Sequence, residues 1–170
     1  MPSDRRAVGL AAVGLVLIGA AALRPWPPLA VWNLSGSAAR GLWLVAPLAP
    51  VRAGDVALVR PPPDVAAWLA ARGYVGPRTP LLKRSIAGPG QTGCRRGARI
   101  LVDGRPAAIA RSRDRRGRPL PAWRGCRTLR QGELFLLNPA PDSLDGRYLG
   151  VTPARHVIGR AWPVAVLAPR

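Results

Sequence analysis

Proline and glycine punctuate this chain so densely, with twenty of the one and nineteen of the other in 170 residues, that it is expected to consist of many tight turns and short strands. Proline removes a backbone donor and glycine supplies turn conformations, so both act against long helices in a chain body. The expected fold class is therefore mainly β. The length suits one compact domain with appendages.

The amino end departs from that pattern. Met-Pro-Ser-Asp-Arg5-Arg6 precedes an uncharged run from Ala7 to Leu23, rich in alanine, leucine, valine and glycine. Such a run lies at the short end of what spans a bilayer as a helix. Apolar residues resume after Arg24, and Trp26 and Trp32 suit a membrane interface. Arg5 and Arg6 favour an amino end kept in the cytoplasm. The expected organisation is a cytoplasmic terminus over residues 1–6, one transmembrane helix over 7–23, an interfacial linker over 24–32 and a periplasmic domain over 33–170, anchored in a bacterial inner membrane. Ala20-Ala21-Ala22 also resembles a leader cleavage site, so removal of the segment is the competing reading.

The net charge of +18 points to anionic partners. The arginines are spread along the chain and cluster only at 95–99 and 111–118. No zinc-finger spacing, RNP-like aromatic motif or helix-turn-helix pattern accompanies them, so nucleic acid is not the expected partner. Membrane lipid headgroups suit this charge better. The sequence does not define an oligomeric state.

Among 26 basic residues only Lys83 is a lysine. Arginine stays protonated in proteins, whereas a lysine amine in an apolar site can fall several pKa units and become a neutral base. An arginine-biased composition would also leave a stray lysine, so the count alone does not assign a role. Lys83 lies in Leu81-Leu82-Lys83-Arg84-Ser85-Ile86-Ala87, which reads as a strand stopped by Gly88-Pro89-Gly90. Alternation puts Lys83 on one face with Leu81, Ser85 and Ala87, away from Arg84.

A neutral lysine can activate a serine in place of histidine. The lone histidine, His156, has no evident catalytic companions and reads as structural or surface. Ser35 and Ser37, in Asn33-Leu34-Ser35-Gly36-Ser37-Ala38-Ala39-Arg40-Gly41-Leu42-Trp43, are candidates for helper and nucleophile. Together with Leu82-Lys83-Arg84 and Gly88-Pro89-Gly90, this segment resembles the Ser-Lys type I signal peptidases, and in particular their conjugative-transfer branch, the TraF-type peptidases. Ala39 stands where that family usually carries proline, and Trp43 where tyrosine is common. The resemblance implies a signal-peptidase-like β domain with Ser37 as nucleophile and Lys83 as general base. It also implies an oxyanion hole formed by the Ser37 amide and the Ser35 hydroxyl.

Farther on, Asp142-Ser143-Leu144-Asp145-Gly146-Arg147-Tyr148-Leu149-Gly150 is similar to the family's Asp-Ser-x-Asp-Ser-Arg-Tyr-x-Gly motif, with Gly146 replacing a serine. By that likeness Ser143 orients the lysine amine, and Asp145 and Arg147 form a supporting ion pair. Asp64 reads as the N-cap of a short helix over 65–72 closed by Gly73. Asp103-Gly104 reads as the turn of a hairpin within 99–110, and residues 158–167 as a closing strand. Cys94 and Cys126 are the only cysteines; in an oxidising compartment they are expected to form a structural disulfide. Too few ligands lie near them for a metal, and no cofactor is expected.

The implied activity is a membrane-anchored serine endopeptidase that cleaves leader or pilin precursors in conjugative transfer, with water or the pilin's own amino end as acceptor. The alternatives are a general leader peptidase and a non-catalytic assembly factor.

Overall fold

The computed structural model describes residues 3–23 and 29–167, with side chains in the first helix described only at 7–16 and 19. That helix, α1, covers Ser3–Leu23. Among the described residues no helix is long and apolar enough to cross a membrane. The span expected over 7–23 is therefore not demonstrated by the fold, and Trp26 of the expected linker lies outside the described residues.

The body is two antiparallel sheets. The first contains β1 (Ala30–Asn33), β2 (Gly41–Pro47), β3 (Val56–Val59), β4 (Leu81–Ala87), β9 (Glu133–Leu136), β10 (Val151–Pro153) and β11 (Val157–Val166). They run in the order β1-β2-β11-β3-β4-β9-β10. The last strand is thus inserted between β2 and β3, which do not pair with each other. The second sheet holds β5 (Thr92–Arg96), β6 (Arg99–Val102), β7 (Arg105–Ile109) and β8 (Gly125–Thr128), in the order β7-β6-β5-β8. The first sheet begins at Ala30, so the expected linker runs into a strand.

Hydrophobic alternation sorts the strands into apolar clusters. Phe135, Ile100, Ala87 and Tyr148 centre one cluster, which joins the two sheets. Trp43, Val45, Leu58, Leu82 and Ala161 form a second on one face of the large sheet. Ala57, Val59, Leu134 and Leu136 form a third. The β6–β7 turn puts Asp103 at φ 49 and Gly104 at φ 77, the positive angles that an Asp-Gly hairpin turn requires.

One local expectation is corrected. Helix α2 covers Pro63–Ala71, with Pro62 at the N-cap position and no side-chain cap. Asp64 lies inside the first turn. Pro63 explains the earlier start, because its fixed φ and missing N–H suit the first helical position. Cys94 and Cys126 face each other in register on β5 and β8, and their sulfurs are bonded.

Candidate active site

Asn33, at the end of β1, organises the loop that carries both candidate serines. Its Nδ2 donates to the carbonyls of Ser35 (3.1 Å), Ala38 (3.1 Å) and Ala39 (3.0 Å). Its Oδ1 accepts from the Ser35 amide (3.1 Å) and the Ser35 hydroxyl (2.9 Å). Ser35 Oγ also lies 3.1 Å from Ser37 Oγ. Trp43 Nε1 donates to the Ala39 carbonyl at 2.9 Å. Ala39, where the family usually has proline, is thus held from two sides by side-chain donors. Gly41 closes the loop at φ 130, where a Cβ would fall on the Ala165 carbonyl oxygen. Only glycine admits this approach of β2 to β11.

Lys83 lies in the middle of β4, opposite Ala57 on β3. It is 5% exposed, and its Nζ donates to Ser143 Oγ at 2.9 Å. Burial pulls the Lys83 amine down from 10.5 to about 8; the Asp145 carboxylate opposes the shift and the Arg147 guanidinium adds to it. At neutral pH about a tenth of such amines are uncharged. An apolar cavity of about 70 Å³ opens beside Lys83, lined by Leu81, Leu136, Leu144 and Val65 among others.

The partners of this amine come from a loop that ends in a short helix, α3 (Gly146–Leu149). Asp145 caps it by accepting from the Arg147 amide at 3.1 Å. Arg147 Nη1 returns to Asp145 Oδ2 at 2.6 Å. The ion pair is almost fully enclosed, which requires that both charges find further partners. Asp145 also accepts from the Asn138 amide at 3.0 Å, and Arg147 Nη2 donates to the Asn138 carbonyl at 2.8 Å. Arg147 Nε is buried without an acceptor among the described residues. Gly146 stands where the family motif has serine: a Cβ there would lie 2.7 Å from the Leu136 carbonyl oxygen and 3.0 Å from the Phe135 ring.

Asn138 is a residue that sequence reasoning missed. It is 4% exposed. Its Nδ2 donates to the Leu82 carbonyl at 2.9 Å and its Oδ1 accepts from the Arg84 amide at 2.8 Å. Those two backbone groups flank Lys83, so Asn138 ties the lysine's own backbone to the Asp145–Arg147 pair. The only signal in sequence is an asparagine placed between a buried apolar run and Pro139, a pattern that an ordinary turn shares.

The site residues thus form two groups. Lys83, Ser143, Asp145 and Arg147 are gathered around one buried amine, and Ser35 and Ser37 share the Asn33 loop. Among the described residues no hydrogen bond joins Ser37 to Lys83. Ala38, next to Ser37, packs against the apolar cluster that contains Leu82, and Leu82 points to the face of β4 opposite that of Lys83. Cys94 and Cys126 are not part of either group.

A buried lysine amine held by a serine hydroxyl is a group suited to act as a base once neutral. Comparison with known proteins identifies the class: the chain belongs to the signal peptidase family, peptidase S26, over residues 5–165. Membership in that family implies a serine peptidase on a mainly β fold. More narrowly, the chain is 36% identical over 172 residues to "Conjugal transfer protein TraF" of Agrobacterium fabrum, covering 94% of this chain and 95% of that protein. It is 35% identical over 148 residues to "Probable conjugal transfer protein TraF" of Sinorhizobium fredii, covering 81% and 77%. The crystal structure of a signal peptidase I from Enterococcus faecalis matches with a TM-score of 0.39 and 22% identity over 68% of this chain and 98% of that one.

Proposed function

We propose that this protein is a membrane-anchored serine endopeptidase of conjugative transfer, in which Ser37 is the nucleophile and Lys83 the general base. The observation that carries the proposal is the Lys83 amine, enclosed by apolar side chains, oriented by Ser143 and brought down to about 8. The reaction requires Ser37 Oγ to come within hydrogen-bond reach of the Lys83 amine. The neutral amine takes the hydroxyl proton as Oγ attacks the scissile carbonyl carbon. The resulting oxyanion is held by the Ser37 amide and by the Ser35 hydroxyl, which rotates away from Asn33 Oδ1 to donate. The Lys83 ammonium then protonates the leaving amine, the peptide C–N bond breaks, and an ester to Ser37 remains. Water, or the amino end of a pilin substrate, resolves that ester, giving a linear or a cyclic product.

Support for conjugative transfer comes from the two TraF relatives. Support for a membrane location comes from exposed apolar surface. The described side chains Val8, Leu10, Val13, Leu15 and Val16 of α1 are all exposed. On the outer face of the large sheet Trp32, Leu44 and Trp162 are exposed as well. The pairings Trp32–Leu42 and Leu44–Trp162 place these on one surface. Water is a poor neighbour for such a patch and an interfacial lipid layer a good one. With Ser37 fourteen residues beyond Leu23, even an extended link reaches only about 50 Å, so the peptide bond attacked lies near the bilayer.

The test is co-expression with a candidate pilin precursor, read by mass spectrometry. Ser37→Ala and Lys83→Arg are each expected to abolish processing while the chain still folds and inserts. Processing retained by either variant overturns the proposal. A product one water lighter than the linear form identifies cyclisation.

A further inference from the structure

The arginine cluster at 111–118 builds a cleft that the peptidase chemistry does not use. The cleft encloses about 240 Å³ between the end of α2, the 111–120 loop and the Asp142–Leu144 turn. Its walls are fixed by hydrogen bonds across the two segments. Arg72 Nη1 donates to the Pro119 carbonyl at 2.8 Å and Arg118 Nη1 to the Arg72 carbonyl at 3.0 Å. Tyr74 Oη donates to Asp114 at 2.5 Å, and that bond is the main reason the Asp114 carboxyl is held far below its usual range. Asp114 also accepts from the amides of Arg116 and Arg118 and from the Arg118 side chain. This acid is therefore fully engaged as an internal brace.

The remaining charge is one-sided. Six arginines and two aspartates line the cleft. Arg118 is paired with Asp114 and Arg115 with Asp142, and Arg113 donates to the Gly117 carbonyl. The guanidinium groups of Arg111 and Arg116 make no hydrogen bond or ion pair among the described residues; only their backbone amides are bonded. Both side chains are exposed at the cleft. Tyr74, Leu120, Leu144 and Tyr148 supply apolar surface between the cations. Leu144 also lines the cavity beside Lys83, and Ser143, between Asp142 and Leu144, is the partner of the Lys83 amine.

We propose that this cleft is a binding site for an acidic segment of the protein substrate, whose carboxylates pair with Arg111 and Arg116 while apolar side chains between them pack on the tyrosines and leucines. The proposal rests on the peptidase reading above and adds a second point of substrate contact one residue from Ser143. Mixed cationic and apolar lining in a concavity this small suits a few side chains of a peptide. A nucleic acid backbone calls for a longer basic track.

The test uses the full chain in detergent with Ser37→Ala, so that binding is read without turnover. The probes are a labelled peptide alternating glutamate and leucine, the same peptide with glutamine for glutamate, and single-stranded DNA as competitor. The glutamate peptide is expected to bind more tightly than its glutamine counterpart, with an affinity that falls as salt rises. Arg111→Gln/Arg116→Gln is expected to weaken it roughly 3- to 30-fold, the range for two partly exposed charge pairs. Arg96→Gln/Arg99→Gln, which removes the same charge from the second sheet, is expected to leave it unchanged. Equal binding of the two peptides, equal loss in both double variants, or displacement by DNA at lower concentration than by unlabelled glutamate peptide each overturns the proposal. None of these outcomes depends on whether Ser37 is the nucleophile; that reading falls separately, if Ser37→Ala still processes substrate.

Discussion

Replacing Lys83 with methionine should make this protein more stable at neutral pH and less stable at high pH. The amine is lowered from 10.5 to about 8 mainly by burial, a difference of about 2.5 pK units, which corresponds to roughly 3 kcal/mol. Because the folded value lies below the unfolded one, the unfolded chain holds the proton more tightly. Below about pH 8 the amine is charged in both states and folding bears the whole penalty. Between about 8 and 10.5 the folded protein has released the proton and the unfolded chain has not, so stability rises with pH across that window. Methionine keeps an unbranched stem of similar size and removes the titration. It also deprives the Ser143 hydroxyl of its 2.9 Å donor, a loss of about 1 kcal/mol. The net expectation is a variant about 2 kcal/mol more stable at pH 6 to 7, with the advantage shrinking above pH 8 and reversing by pH 10.5. Denaturant unfolding of the full chain in detergent, followed by the fluorescence of its six tryptophans, measures this directly. A stability difference that stays constant from pH 6 to 10, or a methionine variant that is weaker at pH 6, would show that the amine is not desolvated and would remove the basis for its role as a base.

Other consequences are open to measurement. The pH profile of kcat/KM should rise tenfold per unit on its acid side and level off near pH 8; a limb near 10.5 would contradict an amine at about 8. Asn33→Ala should lower kcat at least tenfold with a smaller change in KM, because it releases the loop carbonyls of Ser35, Ala38 and Ala39; Asn33→Asp, which keeps only the acceptor, should not restore the rate. Gly146→Ser, which brings this chain closer to its family's motif, should nonetheless destabilise it by about 1 to 3 kcal/mol, since the new Cβ meets the Leu136 carbonyl at 2.7 Å; thermal unfolding would show an unchanged or raised midpoint if this packing argument fails. Reduction of Cys94–Cys126 should lower stability by roughly 3 to 4 kcal/mol in the chain-entropy picture without abolishing activity at low temperature, because the bridge is not part of the site.

The residues gathered around the buried amine, Lys83, Ser143, Asp145 and Arg147, are ones that the sequence singles out, partly by composition and partly by their likeness to a family motif. A lone lysine in a strand pattern singles out Lys83, the likeness to the family motif points to Ser143, Asp145 and Arg147, and alternation along β4 correctly assigns Lys83 and Arg84 to opposite faces. The Asp103-Gly104 turn is equally local. The asparagines are not legible. Asn33 and Asn138 act by bonding backbone groups, and backbone groups look the same at every position; Asn138 and Leu82 are 56 residues apart. Strand order is hidden for a related reason. Alternation shows that residues 158–167 form a strand but contains nothing that specifies which neighbours it takes. The proline at 63 outranked Asp64 as the helix start because a fixed torsion acts before any capping bond can form.

The insertion of β11 between β2 and β3 has a consequence for biosynthesis. The strand that follows the serine loop and the strands that carry the lysine are joined through it, by pairings such as Val45–Ala161 and Val56–Ala161. During translation the Ser37 loop and Lys83 leave the ribosome well before β11, so a nascent chain lacks the strand that joins β2 to β3 in the sheet. In the proposed Ser37–Lys83 chemistry, the placement of nucleophile and base then depends on β11 being in position between β2 and β3.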